Sequence, residues 1–116
     1  MHYVGSIIRE SFLDPTLLDS LPIVSEHETA PAGVQQHMVT VVIPEEQVDF
    51  AISAIQRSLD LTQPVSARLS NGVEDVVIYP QNVFRFPKKD SESRQWAVSF
   101  GEKLGIPRLQ LEFLTQ

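Results

Sequence analysis

Residues 65–86 read V-S-A-R-L-S-N-G-V-E-D-V-V-I-Y-P-Q-N-V-F-R-F and hold three candidate strands separated by two turns. Asn71-Gly72 tolerates the positive φ angles of a two-residue hairpin turn, so residues 65–70 and 73–79 are expected to pair. The chain turns again at Y-P-Q-N, residues 79–82, into a third strand at residues 83–86. Two consecutive hairpins of this kind predict an antiparallel sheet.

Upstream of this stretch the sequence predicts two more strands and a helix. The strands are expected at residues 23–29 and 36–43, around Pro31-Ala32-Gly33, and the second alternates as a strand packed on one face does. Pro44 is suited to open a helix, because its missing N–H costs nothing in the first turn. The apolar positions of this helix recur at helical spacing; they are Val48, Ala51, Ile52, Ile55 and Leu59.

Two further segments carry helix signals. Asp14-Pro15 is a helix start that opens a short helix at residues 16–21. Asp90 is a good N-cap for the last helix, and Gly105 is expected to end it in a left-handed conformation with Ile106 folded back onto Phe100. One side of the last helix is expected to face the core; it carries Trp96, Ala97, Phe100 and Leu104. The tail alternates at Leu109, Leu111 and Phe113, so it is expected to add a strand or to lie extended over the core.

The resulting order is short helix, two strands, helix, three strands, helix and tail. Hairpins flanked by helices predict an α+β fold with a mainly antiparallel sheet of about five strands and two main helices packed on one face. A ferredoxin-like variant is one version of this arrangement. The 116 residues are expected to form a single domain over 1–116.

Composition excludes several classes of function. The chain has no cysteine, which excludes disulfides, thiolate catalysis and cysteine-based metal sites and fits a reducing compartment. The N-terminal residues lack the basic and long apolar regions of a signal peptide, and no apolar run approaches the ~20 residues needed to span a bilayer. The sequence therefore predicts a cytoplasmic protein without a membrane segment.

The net charge of −6 is unevenly distributed, since no Lys or Arg lies between Glu10 and Gln56. An acidic chain repels phosphate backbones, so binding of nucleic acid is not expected. The acidic residues either form a solvated face that keeps the protein soluble or form a docking surface for a basic partner. The candidate interaction residues for that surface are Glu26, Glu28, Glu45, Glu46 and Asp49.

Known catalytic and nucleotide-binding motifs are absent from the chain, so the sequence predicts no catalytic residue and no cofactor. If the strands at 23–29 and 36–43 close around Ala32, His27 and His37 lie opposite each other and could share a metal ion. A slip of one residue would place these histidines on opposite faces, and the plainer interpretation is two ordinary histidines at the sheet margin. Zinc would also require a third protein ligand, and no candidate stands out.

Three other groups have both a functional and a plainer interpretation. Glu45 and Asp49, at i and i+4, could act as an acid–base or metal pair, although stabilisation of the helix dipole also explains them. Arg68 and Arg85 lie on strands and could face each other to hold an anion. Aromatic residues at helical spacing could line a ligand pocket but are more often core; these are Trp96 and Phe100.

Three segments of the chain form a combination of motifs: Y-V-G-S-I-I-R-E-S-F-L-D-P-T-L-L at residues 3–18, N-V-F-R-F at 82–86 and G-I-P-R-L-Q-L-E-F at 105–113. Together they resemble a family of small bacterial proteins of similar length that has no assigned function. The resemblance spans nearly the whole chain and implies a single bacterial cytoplasmic domain. It implies no activity, cofactor or catalytic residue.

These observations favour a non-catalytic protein-interaction or regulatory module that uses its acidic N-terminal half or an exposed sheet surface. The alternative is a small-molecule-binding domain or an enzyme of unknown chemistry, with convergent polar groups around His27 and His37 or around Arg68 and Arg85. A third hypothesis is a homodimer in which an edge strand pairs across a twofold axis.

Overall fold

The computed structural model describes residues 2–13, 21–29, 36–62 and 65–106. Within these residues the chain forms an antiparallel sheet and two α-helices, which confirms the α+β class. In chain order the elements are β1 (His2–Ile8), β2 (Ile23–Thr29), β3 (Gln36–Pro44), α1 (Val48–Ser58), β4 (Ala67–Ser70), β5 (Glu74–Ile78), β6 (Val83–Pro87) and α2 (Ser91–Lys103). Short 3₁₀ turns at Arg9–Ser11 and Glu45–Gln47 follow β1 and precede α1.

The sheet has the order β2-β3-β1-β4-β5-β6, and each of these neighbouring pairs is antiparallel. Strands β3 and β4 both pair with β1, so they run parallel to each other with β1 between them, and α1 makes the crossover. This is one split β-α-β unit. The described residues contain no second unit of this kind, so a ferredoxin-like arrangement is not confirmed.

Strand β1 lies inside the sheet, although the sequence signals above did not predict a strand there. Gly5 and Ser6 interrupt its apolar pattern and weaken the strand signal. Gly5 is buried on the face that α1 covers, where a Cβ would lie 2.3 Å from Leu69 Cδ2 and 3.0 Å from Val41 Cγ2. The absence of a side chain therefore lets β3, β1 and β4 pack closely on that side.

Helix α1 covers one face of the sheet, which we call the α1 face. The apolar positions predicted for this helix are all buried, and they pack against residues such as Ile7, Val41 and Leu69 from the strands beneath. Leu59 follows the last helical residue and forms an isolated bridge with Phe12. The predicted helix face is confirmed, but the helix begins with a 3₁₀ turn after Pro44.

Helix α2 packs on the opposite face, which we call the α2 face, so the expectation that both helices share one face is wrong. The reason is the alternation of β5, because Val76 and Ile78 belong to the α1 core whereas Val77 and Tyr79 belong to a second core under α2. The Tyr79 hydroxyl donates a hydrogen bond of 2.6 Å to the carbonyl of Ala97. Burial of this hydroxyl raises its pKa.

The ends of α2 follow the predicted capping. The Asp90 side chain accepts a hydrogen bond of 3.1 Å from the backbone N–H of Ser93. Gly105 has a φ of 98°, and the N–H of Ile106 donates to the carbonyl of Gly101 at 3.0 Å, as in a Schellman motif. Trp96, expected to face the core, is instead 64% exposed, because the buried stripe of α2 runs through Ala97, Val98 and Gly101.

The β4–β5 hairpin differs from its prediction by one residue. The N–H of Asn71 donates to the carbonyl of Glu74, so the two loop residues are Gly72 and Val73 rather than Asn71 and Gly72. Gly72 supplies the positive φ, 90°. The Asn71 side chain accepts hydrogen bonds from the backbone N–H groups of Val73 and Glu74. Three expected features lie outside the described residues. They are the helix at 16–21, of which only Leu21 is described, the turn at Pro31-Ala32-Gly33 and the alternating tail at 109–113.

We expect Gly5→Ala to lower the free energy of unfolding by about 1–3 kcal/mol, because overpacking of a tight core site has this cost. Urea unfolding of the full chain measures the change. Ser6→Ala is the matched control, since this half-buried neighbour lies on the other face, and we expect it to stay within about 0.5 kcal/mol of wild type. Equal stability of the two variants would contradict the packing argument.

The Asp90 cap predicts a dependence of stability on pH. The backbone hydrogen bond from Ser93 holds the pKa of Asp90 below its ordinary value. The charged cap therefore stabilises the fold above the ordinary pKa of about 3.9, and this stabilisation is lost as the pH falls through the lower folded value. Asp90→Ala should lower Tm near pH 7, with a difference from wild type that shrinks towards about pH 2.

The comparison with Asp90→Ser separates charge from capping. Serine caps a helix without a titrating group. The Tm difference between Asp90→Ser and Asp90→Ala should therefore stay constant as the pH is lowered from about 7 to about 2. A difference between wild type and Asp90→Ala that persists unchanged at low pH would show that the carboxylate charge is not responsible.

Candidate binding surface

Helix α2 covers only the β5–β6 side of its face, and the remaining strands of that face carry no helix within the described residues. We call this area the open sheet surface. Strand register places its residues on one side; they are Val4 and Ser6 of β1, Ser25 and His27 of β2, Met38, Thr40 and Val42 of β3, and Arg68 and Ser70 of β4. Val4, near the middle, is 50% exposed.

The size of the open sheet surface follows from strand geometry. Four strands at a spacing of about 4.8 Å are about 19 Å wide, and the seven residues of β1 span about 20 Å. The flat area is therefore roughly 400 Å². It continues at Val42 into a shallow depression of about 540 Å³, lined by His2, Leu21, Pro22, Val42, Pro44 and Gln47.

The open sheet surface differs in charge from the rest of the chain. Although the net charge is −6, none of the described strand positions that form the surface is a carboxylate. It carries instead hydroxyl groups, an imidazole and a guanidinium. Among the described strand positions of this face, the one carboxylate is Asp75 of β5, which is fully buried.

Asp75 lies between two arginines at the boundary between the open sheet surface and α2. Its Oδ1 is 3.6 Å from an Nη atom of Arg68 on β4, and its Oδ2 is 3.7 Å from an Nη atom of Arg94 on α2. Neither oxygen of Asp75 has a hydrogen-bond partner. Burial of a carboxylate costs several kcal/mol of solvation, and the two ion pairs offset part of that cost.

Arg94 has a second contact that fixes its position. One of its Nη atoms donates a hydrogen bond to the carbonyl of Lys88, in the connection between β6 and α2. The side chains of Arg68 and Arg94 are 16% and 32% exposed. Both guanidinium groups thus form ion pairs with the buried Asp75, and both side chains remain partly exposed to solvent.

The structure places His27 and His37 on opposite faces of the sheet, as the register slipped by one residue does. His27 pairs with Met38, and Glu28 pairs with His37. The fully buried Val39 and Val41 place the odd-numbered positions of β3 on the α1 face, and His37 follows them. His27 lies on the open sheet surface instead. No group of three His, Asp or Glu side chains among the described residues could hold a metal ion.

His37 has acidic neighbours at the margin of the α1 face. Its Nδ1 is 3.3 Å from both carboxylate oxygens of Glu10, and its Nε2 is 3.4 Å from Glu28. The backbone N–H of His37 also donates to Glu10. Beside them, Arg9 donates two hydrogen bonds of 2.9 Å to Glu26, which lower the pKa of Glu26.

The five acidic candidates fall into two groups rather than one surface. Glu26 and Glu28 lie near His37 at one end of β3, whereas Glu45, Glu46 and Asp49 follow its other end. The eight residue-to-residue steps from His37 to Glu45 span about 26 Å of extended chain. A basic partner would have to contact both ends of β3 to use all five.

Arg85 belongs to the second acidic group and not to the open sheet surface. It donates hydrogen bonds to Asp49 at 2.6 Å and to Glu74 at 2.9 Å, and the bond to Asp49 raises its pKa further above the usual range. Glu74 also accepts from the Tyr3 hydroxyl. Strand register places Arg68 on the α2 face and Arg85 on the α1 face, so the two arginines do not face each other to hold an anion.

Sequence reasoning missed Asp75 and Arg94 as partners of Arg68. The available signal was a carboxylate followed directly by four residues of apolar or aromatic type, D-V-V-I-Y at residues 75–79. Asp75 shares a face with Val77 and Tyr79, both buried, so it required a counter-charge. Arg94 becomes identifiable as the second counter-charge of Asp75 only once the position of α2 on that face is known.

Comparisons with known proteins bring no relative. No family model matches the chain, no curated protein is similar to it, and no solved structure matches its fold. The resemblance to small bacterial proteins stays a prediction. None of the helices in the described part of the chain is long and apolar enough to cross a membrane.

We expect Asp75→Asn to lower the free energy of unfolding by about 1–3 kcal/mol. The neutral amide leaves two guanidinium groups without their shared counter-charge, and partial exposure of both arginines keeps the loss below that of a fully buried pair. Urea unfolding measures the effect. The exposed Glu92→Gln is the control and should stay within about 0.5 kcal/mol of wild type; an Asp75→Asn variant as stable as this control would contradict a stabilising role.

Proposed function

We propose that the protein is a non-catalytic interaction module that binds an acidic segment of a partner protein on the open sheet surface. The observation that carries the proposal is the charge of this surface. In a chain of net charge −6, these strand positions bear no exposed carboxylate, and the cationic groups of Arg68 and Arg94 lie at one edge. Complementary charge between surfaces favours one kind of partner and fixes its orientation.

The dimensions of the surface support a short segment as the ligand. Each partner in a stable protein complex contributes about 800 Å², and the open sheet surface has roughly half of that as flat area. A length of about 20 Å corresponds to about six residues of extended chain. A transient contact with a peptide segment therefore fits better than a permanent subunit interface.

The side chains on this surface suit such a ligand. Val4, Met38 and Val42 offer apolar contacts, while Ser6, Ser70 and other hydroxyl groups can donate or accept hydrogen bonds. The depression beside Val42 has room for an apolar side chain of the partner. Mixed apolar and polar contacts of this kind are typical of non-obligate interfaces.

The other hypotheses have less support. Docking of a basic partner on Glu26, Glu28, Glu45, Glu46 and Asp49 would require two separated groups, of which Glu26 and Asp49 already bind arginines. A small-molecule or enzyme site was considered around two pairs of side chains, His27 with His37 and Arg68 with Arg85. The two members of each pair lie on opposite faces of the sheet. Self-association through an edge strand, a bacterial source and a cytoplasmic location stay predictions from the sequence.

Peptide display on the full chain tests the proposal. We expect selection from a random hexapeptide library to enrich peptides rich in Asp and Glu. Ser6→Glu places a carboxylate in the middle of the open sheet surface. It should weaken binding of the selected peptides at least tenfold, because of like-charge repulsion and loss of contact area. Ser53→Glu is the matched control, because it adds the same charge on the exposed side of α1.

Two outcomes would contradict the proposal. One is enrichment of basic peptides whose binding is lost in the double variant Glu45→Lys/Glu46→Lys, which would instead support the acidic surface. The other is binding of acidic peptides that Ser6→Glu and Ser53→Glu weaken equally, which would show a general charge effect without a defined surface.

A further inference from the structure

We propose that the depression beside Val42 is a binding site for an aromatic side chain of the partner's acidic segment. This inference rests on the proposed function, because the segment has to lie on the adjoining open sheet surface to bring a side chain into the depression. It assigns the segment an anchor residue, a ring such as that of tyrosine, and the side chains that would contact it.

The strand register and one loop contact place the depression next to the open sheet surface. His2 of β1 pairs with Pro44 of β3, and Val4 pairs with Val42 two residues further along, so these four residues share one face of the sheet. The N–H of Val42 donates a hydrogen bond of 3.1 Å to the carbonyl of Pro22, which holds the chain before β2 against β3. A segment lying on the sheet therefore reaches the depression without leaving the surface.

The six residues that line the depression divide by exposure. Leu21, Val42 and Pro44 are half-buried, whereas His2, Pro22 and Gln47 are exposed. The half-buried residues are all apolar, and the exposed ones add an imidazole and an amide that can donate or accept hydrogen bonds. A tyrosine ring has the same distribution, with an apolar body and a hydroxyl group at its wet end. The depression thus offers each part of such a ring a suitable contact.

The shape of the depression favours a side chain over a free small molecule. Its volume of about 540 Å³ is within the range of about 300–1,000 Å³ that ligand pockets have, but such pockets enclose most of their ligand and this depression is shallow. A free molecule has to offset its own loss of translational and rotational freedom, whereas a side chain of a segment already bound beside the depression does not. Aromatic side chains bury about 150–250 Å² each, so a ring gains a large contact even on a shallow surface.

The charge beside the depression explains why its occupant is not one of the acidic residues of the segment. Glu46 is exposed and directly precedes Gln47 in the chain, so a carboxylate in the depression would be repelled. A neutral ring avoids this repulsion, and the acidic residues then bind farther along the open sheet surface. A lysine side chain would instead be attracted to Glu46, so it is the competing occupant that the experiment includes.

Titration of the ¹⁵N-labelled full chain with synthetic peptides tests the site by NMR. Two peptides carry the ring at opposite ends, acetyl-Tyr-Thr-Thr-Glu-Thr-Glu-amide and acetyl-Glu-Thr-Glu-Thr-Thr-Tyr-amide, because a segment can cross the strands in either direction. Each has one counterpart with Ala in place of Tyr and one with Lys in that place. We expect one Tyr peptide to shift the backbone amide signals of Val42 and Gln47 and to bind about fivefold more tightly than its Ala counterpart, or better.

Val42→Thr replaces a methyl group in the depression by a hydroxyl group and keeps the β-branched shape that suits a strand. We expect it to reduce the advantage of the Tyr peptide over the Ala peptide by about twofold or more, because apolar contact is lost. Val83→Thr is the matched control, since it makes the same change at a half-buried position that packs on the α1 face. It should leave that advantage unchanged.

Gln47→Ala is a second variant that does not threaten the fold, because the Gln47 side chain makes no capping hydrogen bond to α1. It removes the exposed amide from the edge of the depression, so we expect it also to reduce the advantage of the Tyr peptide. The dispersion of the amide spectrum shows whether each variant is folded. An advantage of the Tyr peptide that survives unchanged in both Val42→Thr and Gln47→Ala would place the ring elsewhere and overturn the site.

The outcomes separate the aromatic site from the proposed function. Tyr and Ala peptides that bind equally and shift the amide signals of Ser6 and Thr40 would overturn the aromatic site and leave the interaction surface in place. A Lys peptide that binds more tightly than the Tyr peptide would also overturn the aromatic site. If replacement of both Glu by Gln leaves the affinity of the Tyr peptide unchanged, the preference for an acidic segment is overturned while the ring stays a ligand of the depression. If no peptide shifts any of these signals, both proposals are overturned.

Discussion

The burial of β5 on both faces is the constraint on which the rest of the structure depends. Val76 and Ile78 enter the core under α1, whereas Val77 and the following Tyr79 enter the core under α2. A strand that is apolar on both faces requires cover on both, so the two helices are placed on opposite sides. Because α2 follows the edge strand β6 and covers β5 and β6, the other four strands carry no helix on that side within the described residues. The candidate binding surface is thus a consequence of where the second core ends.

Asp75 is the one charged side chain within that second face of β5, and it couples packing to electrostatics. A buried ion pair is weak evidence for stability, because desolvation offsets much of the Coulomb attraction. Its more direct consequence here is geometric. Arg68 belongs to β4 and Arg94 to α2, so their shared counter-charge favours one position of the helix against the sheet. Sliding α2 by one turn, about 5.4 Å, would leave Asp75 with one arginine and would cost far more than the exposed pairs elsewhere on the surface.

The sequence predicted what depends on local pattern and missed what depends on distant contacts. The face of α1, the cap at Asp90, the end of α2 at Gly105 and five of the six strands follow from spacing and from the special conformations of Asn, Gly and Pro.

Strand β1 was missed because Gly5, which weakens the local strand signal, is required by the proximity of Leu69 and Val41. Local pattern left open whether His27 and His37 share a face, because one residue of register decides it; the buried valines of β3 fix that register and place the two histidines on opposite faces. Trp96 was misplaced because helical spacing alone does not say how narrow the buried stripe of a helix is. The Arg68–Asp75–Arg94 trio joins three elements, and only strand order and helix position bring it together.

The negative charge of the whole chain determines which anions the open sheet surface can accept. A polyanion such as nucleic acid meets the repulsion of many carboxylates at once, because its charge extends beyond any one surface. A short acidic segment of about 20 Å meets mainly its immediate surroundings, since exposed charges farther than about 8 Å are screened at physiological salt. Within that distance, the strand positions of the open sheet surface present no exposed carboxylate and the arginines lie at its edge. If the protein binds an acidic segment as proposed, the surface favours small, local negative charge, because the same charge distribution repels extended negative charge. Raising the salt concentration weakens the attraction of the arginines and the repulsion of the remaining chain together, so such a complex should depend on salt less steeply than its charge count suggests.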